Sequence, residues 1–253
     1  MKTIKINKIM KSGRAMFLAY DQGLEHGPSS DFNDKNVDPL YILEIARKGK
    51  FNAVVFQKGI AEKYQKEIKK SKVPLIVKLN GKTALVGGEP ISRQICSVKE
   101  AIELGASAVG YTVYIGSEHE SEMMQEFDKI EEEAHAKGIP IIAWIYPRGK
   151  SIKDDSTRVM MAYATRVGLE IGADIVKIRY NGNLDDLKWA VKAAGRCKVV
   201  VAGGLKVEDD KFVENAKEVM KTGISGLAIG RNVWQSDKPL NLAKEINKSV
   251  MKK

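Results

Sequence analysis

The sequence predicts a single closed (β/α)8 barrel, the TIM-barrel fold of the α/β class, over residues 1–253. Eight short segments are apolar on both faces, as expected of parallel strands buried beneath helices. Stretches with a helical period and an amphipathic charge pattern separate these segments. Eight such units in 253 residues fit a closed barrel better than an open doubly wound sheet, and no G-x-G-x-x-G motif opens the first helix.

The chain enters its predicted strands in two alternating ways. A glycine suited to ending a helix precedes the second, fourth, sixth and eighth strands, because glycine adopts positive φ without steric cost. The strands between them are introduced differently, as in the Val-Pro and Ile-Pro starts of the third and fifth. The predicted strands are 16–20, 53–56, 73–77, 108–111, 139–143, 174–180, 197–201 and 226–229, and the clearest predicted helices are 40–48, 118–137, 157–171, 184–194 and 211–221. No linker or low-complexity stretch divides the chain, so we expect one domain.

The charge of the chain limits the classes of partner. Its 42 Lys and Arg residues against 32 Asp and Glu give a formal net charge of +10. This charge suits either nucleic acid or a polyanionic small molecule. The lysines are spread along the whole chain and no stripe of aromatic and basic residues is present, so a nucleic-acid partner is disfavoured.

The same sequence bears on location and redox state. No apolar run approaches the roughly 18 residues of a membrane span, and Met1–Lys11 lacks the apolar core of a secretory signal. We therefore expect a cytoplasmic protein with no membrane partner. Cys96 and Cys197 lack the spacing of a disulfide framework or a zinc site, so we expect both to be reduced and buried.

Chemistry-bearing residues follow four of the predicted strands. In a (β/α)8 barrel, catalytic groups gather at the carboxyl ends of the strands and in the loops after them. The polar, glycine-rich segment Asp21–Pro28 follows the first strand, and Trp144–Gly149 follows the fifth. The seventh strand ends at Ala202–Lys206 and the eighth at Ile229–Asn232.

Lys177 is the leading candidate for a nucleophile. A lysine inside an apolar strand that points into a barrel loses hydration, which lowers its pKa toward the neutral form, and Arg179 in the same strand phase would act in the same direction. A neutral amine can form a Schiff base with a ketone, and the iminium is an electron sink for breaking a carbon–carbon bond. The alternative is that Lys177 points outward and pairs with an acid. Lys78 is equally intramural, and periodicity does not choose between the two lysines.

Two further side chains could transfer protons. Tyr146 shares a strand phase with Trp144, and neighbouring cations could lower the pKa of its phenol. The alternative is a tyrosine that closes the top of the barrel with its hydroxyl in solvent. Asp21 could orient the amine or share its proton, or it could be an ordinary turn residue.

The glycine-rich ends of the seventh and eighth strands could bind a phosphate. Backbone N–H groups at Gly203, Gly204 and Gly230 would face the anion, and Arg231 or Lys206 would add charge. The alternative is two structural turns that need positive φ. His119 and His135 are expected to be solvated on a charged helix, and with His26 they have no metal-ligand spacing, so no metal is implied.

These motifs together resemble those of the archaeal-type class I fructose-bisphosphate aldolases, a family shared with 2-amino-3,7-dideoxy-D-threo-hept-6-ulosonate synthase. The resemblance covers nearly the whole chain and is carried by Asp21–Pro28, Trp144–Gly149, Val176–Tyr180, Ala202–Gly204 and Gly230–Arg231. It implies reversible cleavage of a phosphorylated sugar, fructose 1,6-bisphosphate, in glycolysis and gluconeogenesis. It also implies no metal or other cofactor, and a homo-oligomer built from five-membered rings, such as a decamer.

The resemblance assigns roles to individual residues. It implies that Lys177 rather than Lys78 is the Schiff-base lysine, with Tyr146 as general acid/base and Asp21 as an assisting carboxylate. It implies substrate binding by Trp144, His26, Arg148, Gly203, Gly204, Gly230 and Arg231, with one phosphate at Gly204 and Arg231.

Three other functions remain open at this stage. The related synthase would keep the Schiff base and the phosphate site but transfer a carbon fragment to another carbonyl compound, and Gln22, Glu25 and Trp144 favour the aldolase over it. A barrel that binds a phosphorylated effector without turnover is a second alternative. A basic barrel that binds nucleic acid is the third.

Overall fold

The barrel closes in chain order. The computed structural model describes residues 3–26 and 31–251, so Gly27 and Pro28 of the first motif lie outside the described residues. Eight parallel strands form one closed barrel in which β8 pairs with β1, which confirms the predicted fold class. The strands are β1 Ala15–Ala19, β2 Ala53–Gln57, β3 Leu75–Lys78, β4 Ala106–Ile115, β5 Ile141–Pro147, β6 Ile175–Ile178, β7 Lys198–Ala202 and β8 Gly226–Ile229.

Helices cover the outside of the barrel. The α-helices are α1 Gln22–Glu25, α2 Pro39–Lys48, α3 Lys58–Lys63, α4 Gln65–Ser71, α5 Val98–Glu103, α6 Glu120–Ala136, α7 Arg158–Glu170, α8 Leu184–Ala193, α9 Asp209–Met220, α10 Arg231–Trp234 and α11 Pro239–Met251. A 3-10 helix at Ile6–Lys8 precedes β1. Among the described residues, no helix is both long and apolar enough to cross a bilayer.

Local sequence explains where helices begin. Asp38 caps α2 by accepting a hydrogen bond from the Leu40 N–H at 2.9 Å, and Pro39 occupies the first helical turn, where its missing N–H costs nothing. Ser97 and Glu100 form a reciprocal capping box at α5, with hydrogen bonds of 3.1 and 2.9 Å. These caps fix the directions in which the helices return along the barrel.

Two strands extend further than the sequence predicts. The expected fifth strand ends at residue 143, whereas β5 continues to Pro147 and pairs with β4 up to Ile115. Trp144 and Tyr146 are therefore strand residues rather than the start of a loop. The short antiparallel pair of Asn80–Gly81 with Arg93–Gln94, inserted after β3, was also not predicted.

The two intramural lysines point into the barrel. Residues two apart on a strand share a face, and Ile76 and Ile175 belong to the cluster inside the barrel. Lys78 and Lys177, two residues further along the same strands, therefore face inward as well, each where its strand approaches its carboxyl end. The inner cluster comprises Ile9, Met10, Ala15, Phe17, Ala53, Val55, Ile76, Ala108, Ile142, Trp144, Ile175, Val200 and Ala228.

His135 is not solvated, so that expectation is wrong. Its side chain is largely buried, with Nδ1 2.5 Å from Glu131 Oε1 and Nε2 2.9 Å from Asp174 Oδ2. The same Asp174 oxygen accepts a hydrogen bond from the Ile141 N–H at 2.8 Å. His135 thus ties the end of α6 to the amino-terminal ends of β5 and β6, a structural position far from the carboxyl ends of the strands.

Replacement of Gly226 by alanine tests the closure between β1 and β8. A Cβ at this position would lie 1.8 Å from the carbonyl oxygen of Ala15, a backbone atom in the adjacent strand. Because the neighbour cannot rotate away, Gly226→Ala is expected to lower the free energy of unfolding by about 1–3 kcal/mol or more, measured by urea denaturation.

Gly59→Ala is the matched control. A Cβ there meets no atom within 4 Å, and the residue lies in α3, so the change should be neutral or stabilise by up to about 1 kcal/mol. Wild-type stability of Gly226→Ala would mean that the two strands are not held in the described contact.

Candidate active site

The predicted site residues converge on one cavity at the carboxyl ends of the strands. The cavity encloses about 900 Å³, counting the solvent at its open mouth. It is lined by all ten residues proposed from the sequence: Asp21, His26, Trp144, Tyr146, Arg148, Lys177, Gly203, Gly204, Gly230 and Arg231. Residues separated by as many as 210 positions in the chain thus share one site.

The environments of the two lysines distinguish them. Lys78 is fully buried, and its Nζ lies 2.8 Å from Glu25 Oε1 in an ion pair. Lys177 lines the cavity and has no hydrogen bond or ion pair within the described part of the chain. Burial lowers the pKa of Lys177, and the negative charges of Asp21 and Glu25 oppose that shift only in part. Lys177 therefore has the properties of a nucleophilic amine, whereas Lys78 is a partnered cation.

Arg179 does not lower the pKa of Lys177, contrary to what its strand phase suggested. β6 ends at Ile178, and Arg179 forms an ion pair with Asp155 at 3.0 Å, with more than half of its side chain exposed. Desolvation, rather than a neighbouring cation, lowers the pKa of the Lys177 ammonium.

The ring of Trp144 lies close to the side-chain nitrogens of both lysines. Its ring centroid is 5.1 Å from Lys177 Nζ and 5.6 Å from Lys78 Nζ, within the range of cation–π attraction. The ring fits because residue 110 is glycine: a Cβ at Gly110 would lie 1.9 Å from Cζ3 of Trp144. The strand register places Trp144 beside Lys177 and opposite Thr112.

The pKa of Tyr146 shifts in the direction opposite to the expected one. Burial and the negative charge of Asp21 raise the pKa of the phenol, and the cations Lys78 and Arg148 counteract this only in part. The prediction of a lowered pKa is therefore wrong for the free protein. Tyr146 is protonated at neutral pH and can donate a proton to a group in the cavity.

Hydrogen bonds from Asn232 join the loops after β7 and β8. The buried Asn232 amide donates hydrogen bonds of 2.8 Å to the carbonyl oxygens of Gly203 and Leu205, and its Oδ1 accepts one of 2.9 Å from the Val207 N–H. Gly204 has φ +71°, which glycine adopts without strain. Sequence reasoning missed Asn232, although it directly follows the Gly230–Arg231 motif.

The close approach of the chain after β8 to the end of β1 requires glycine at position 230. A Cβ there would lie 2.5 Å from Gln22 Nε2 and 2.7 Å from the carbonyl oxygen of Ala19. The adjacent Arg231 donates to the Gly204 carbonyl at 3.3 Å. Lys206, the other expected cation, instead forms an ion pair with Asp209 at 2.7 Å and does not line the cavity.

His26 and Arg148 also line the cavity. Burial and the charge of Arg231 lower the pKa of His26, and His26 Nδ1 lies 3.8 Å from Asp31 Oδ2. The guanidinium of Arg148 lies 5.6 Å from the ring centroids of both Tyr114 and Tyr146. Within the described ranges, no group of three or more His, Cys, Asp or Glu side chains could hold a metal ion.

Several residues of the cavity were not proposed as site residues, notably Gln22, Glu25, Thr112 and Tyr114. Gln22 and Glu25 lie within the first motif and could have been selected by their position after β1. Thr112 and Tyr114 could not, because the predicted fourth strand ended at residue 111 and β4 continues to Ile115. Gln22 Oε1 and Thr112 Oγ1 are buried without a hydrogen-bond partner in the described structure, as expected for a site that receives a polar ligand.

Comparison with known proteins identifies the family. The model of the DeoC/LacD family aldolases matches residues 15–236. The chain belongs to this family of aldolases. It is 46% identical over 243 residues to the class 1 fructose-bisphosphate aldolase of Thermoproteus tenax, covering 95% of this chain and 90% of that protein. It is 42% identical over 241 residues to the class 1 fructose-bisphosphate aldolase of Halobacterium salinarum, covering 94% and 91%.

A solved structure gives the same family relationship. This DeoC/LacD family aldolase is similar, with a TM-score of 0.92 and 43% identity, to an archaeal fructose-1,6-bisphosphate aldolase whose catalytic lysine is bound to the carbinolamine intermediate of its substrate. The match covers 97% of this chain and 98% of that one. These comparisons confirm the resemblance drawn from the sequence motifs.

Gly110→Ala tests the packing that places Trp144 beside Lys177. The added methyl group would overlap the six-membered part of the indole ring, so we expect the free energy of unfolding to fall by about 1–3 kcal/mol. In a Gly110→Ala background, Trp144→Phe removes the overlapping ring and should recover part of that loss. The double-mutant cycle, measured by urea denaturation, isolates the interaction of the two positions. Strictly additive effects would contradict the described contact.

Proposed function

We propose that this protein is a Schiff-base (class I) aldolase that reversibly cleaves fructose 1,6-bisphosphate to dihydroxyacetone phosphate and glyceraldehyde 3-phosphate. One observation carries the proposal: Lys177 is a buried, unpartnered amine with a lowered pKa, inside a polar cavity of a DeoC/LacD family barrel. The names of the class 1 relatives from Thermoproteus tenax and Halobacterium salinarum support the choice of substrate.

The first half of the reaction forms the iminium. The neutral amine of Lys177 attacks the C2 carbonyl carbon of the open-chain sugar, and the carbonyl oxygen becomes the hydroxyl of a carbinolamine. Tyr146, protonated because burial and Asp21 raise its pKa, donates its proton to that hydroxyl as it leaves as water. Trp144, 5.1 Å from Lys177 Nζ, stabilises the cationic iminium through its π face.

The second half breaks the carbon–carbon bond. Asp21 is the carboxylate whose charge acts most strongly on both Lys177 and Tyr146, which makes it the proposed acceptor of the C4 hydroxyl proton. The C3–C4 bond electrons move into the iminium to give an enamine, and glyceraldehyde 3-phosphate leaves. The proton that Asp21 accepted passes to the Tyr146 phenolate, which delivers it to C3 of the enamine. Water then adds to the iminium, a proton of that water returns to Tyr146, and dihydroxyacetone phosphate and Lys177 are freed.

One phosphate group of the substrate is proposed to bind at the glycine-rich turns after β7 and β8. The C1 phosphate lies at the turns of Gly203, Gly204 and Gly230, where Arg231 adds positive charge. His26 and Arg148 remain as polar and cationic groups for the rest of the sugar. The net charge of +10 favours encounter with a bisphosphate.

Metal independence, cellular location and assembly are also part of the proposal. Because the iminium itself is the electron sink, the cleavage needs no Lewis acid. We propose a single-domain cytoplasmic enzyme that acts as a homo-oligomer, in its specific form a decamer of two five-membered rings. Exposed Val159, Tyr163 and Trp189 on the neighbouring helices α7 and α8 offer apolar surface for such contacts.

Borohydride trapping tests the covalent step. The protein is incubated with dihydroxyacetone phosphate and excess chelator, reduced with borohydride, and mapped by peptide mass spectrometry. We expect one reduced adduct, on Lys177, and none in Lys177→Met or without the ketone, while the exposed-site control Lys150→Met behaves as wild type. An adduct on Lys78 would contradict the assigned lysine. No adduct on any lysine of the folded protein would contradict the aldolase proposal.

Tyr146→Phe tests the proton donor. Without the phenol, carbinolamine dehydration should slow by about 10²- to 10⁴-fold, measured as the rate at which the borohydride-reducible adduct appears. The slowing should persist between pH 6 and 9, because the raised pKa keeps the phenol protonated across this range. Tyr163→Phe, on the exposed face of α7, is the matched control. Iminium formation at the wild-type rate in Tyr146→Phe would assign the donor role to another group.

A further inference from the structure

Three side chains form a polar group that the mechanism above does not use. Lys78 Nζ lies 2.8 Å from Glu25 Oε1, and the Tyr114 hydroxyl lies 3.4 Å from Glu25 Oε2. Lys78 also donates to the Asn80 carbonyl at 3.4 Å. Glu25 and Tyr114 line the cavity, whereas Lys78 does not line it and is fully buried behind them.

The position of this group in the barrel is opposite the proposed phosphate turns. Lys78 lies on β3 and Tyr114 on β4, whereas Gly204 and Arg231 follow β7 and β8. In a closed ring of eight strands in chain order, the third and fourth lie across from the seventh and eighth. Lys177, on β6, lies between the two sides.

This arrangement orients the sugar. With its C1 phosphate at β7 and β8 and its C2 atom on Lys177, the chain of carbon atoms must continue past β5 toward β4 and β3. The atoms beyond the C3–C4 bond, which leave as the aldehyde, then face Glu25 and Tyr114.

We infer that Glu25 and Tyr114 bind the hydroxyl groups of the aldehyde half of the substrate, and that Lys78 is a positioning residue that holds the Glu25 carboxylate. The inference rests on the proposed function and extends it to the choice of aldehyde.

The chemistry of the three groups suits hydroxyl recognition. A carboxylate accepts hydrogen bonds from sugar hydroxyls, and the Lys78 ammonium, 2.8 Å from Glu25 Oε1, holds that carboxylate in place. Burial and the charge of Glu25 raise the pKa of Tyr114, so its phenol stays protonated and can donate. The 3.4 Å separation of Tyr114 and Glu25 is longer than the usual O–H···O distance of about 2.7 Å, so the phenol is weakly held and available to a ligand.

A site of this kind predicts selectivity among aldehydes. Buried polar groups that lose their hydroxyl partner are left unpaired, so a site built to bind a hydroxyl discriminates against an analogue without one. The protein should therefore prefer aldehydes with a hydroxyl at the carbon next to the carbonyl.

The experiment separates the two halves of the substrate. Dihydroxyacetone phosphate contains only C1–C3, so exchange of its C3 proton with deuterated solvent, followed by NMR, reports on Lys177, Tyr146 and the proposed phosphate turns and not on the aldehyde half. Condensation with 2-hydroxypropanal or with propanal, which differs from it only by lacking the hydroxyl, reports on the aldehyde half. In wild-type protein the first condensation should be the more efficient.

Tyr114→Phe and Glu25→Gln are the variants, with Tyr111→Phe as the matched control. Tyr111 lies on the same strand, but its hydroxyl contacts Glu126 at 2.6 Å on the outside of the barrel. Each variant is measured at its own pH optimum, because the charge of Glu25 also acts on Lys177. We expect kcat/KM for 2-hydroxypropanal to fall about tenfold or more relative to propanal in both variants, with proton exchange reduced by less than about threefold. Tyr111→Phe should leave both ratios unchanged.

Lys78→Met combined with Glu25→Gln guards against a failure to fold. This pair removes both charges together, so no uncompensated buried charge remains, and it should show the same loss of aldehyde selectivity as Glu25→Gln. Equal losses for both aldehydes and for proton exchange would overturn the inference and assign the three residues a structural role. Absence of proton exchange in the wild-type protein would instead contradict the proposed function itself.

Discussion

The site depends on the different electrostatic environments of two buried lysines. Removing an ammonium group from water is unfavourable unless an anion or hydrogen bonds compensate for the lost hydration. Lys78 receives that compensation from Glu25 at 2.8 Å, whereas Lys177 has only the more distant charges of Asp21 and Glu25. The lowered pKa of Lys177 follows from this difference. Without an ion pair, the ammonium loses its proton more readily and so yields the lone pair that a Schiff base requires.

The barrel maintains this difference by packing. The Trp144 ring lies within 5.6 Å of both ammonium groups, and the absence of a side chain at Gly110 lets the indole lie against the neighbouring strand. The same extension of β5 that carries Trp144 also carries Tyr146 to the cavity. A rigid strand thus holds the proposed proton donor and the wall of the site in fixed relation to Lys177, whose strand is paired with it.

Some parts of this arrangement were accessible to sequence reasoning and others were not. Strands apolar on both faces and helix-ending glycines predicted the barrel, and the motifs at strand ends contain ten of the residues that line the cavity. Periodicity could not choose Lys177 over Lys78, because both lie at the same phase of similar strands. It could not find Tyr114, because the end of β4 is set by pairing with β5. The predicted direction of the Tyr146 pKa shift was wrong, because the shift depends on burial and on Asp21, which is 125 residues away in the chain.

The sequence by itself determined the fold class and the residue types that reach the carboxyl ends of the strands, because strand and helix periods and glycine turns are local properties of the chain. Only the tertiary structure decided which lysine is left without a partner, which phenol stays protonated and which face of the cavity lies opposite the glycine-rich turns after β7 and β8. These outcomes depend on hydration and Coulomb interactions between groups that meet only when the barrel closes. The protonation states in the cavity are therefore a property of the closed barrel, and not of any one segment.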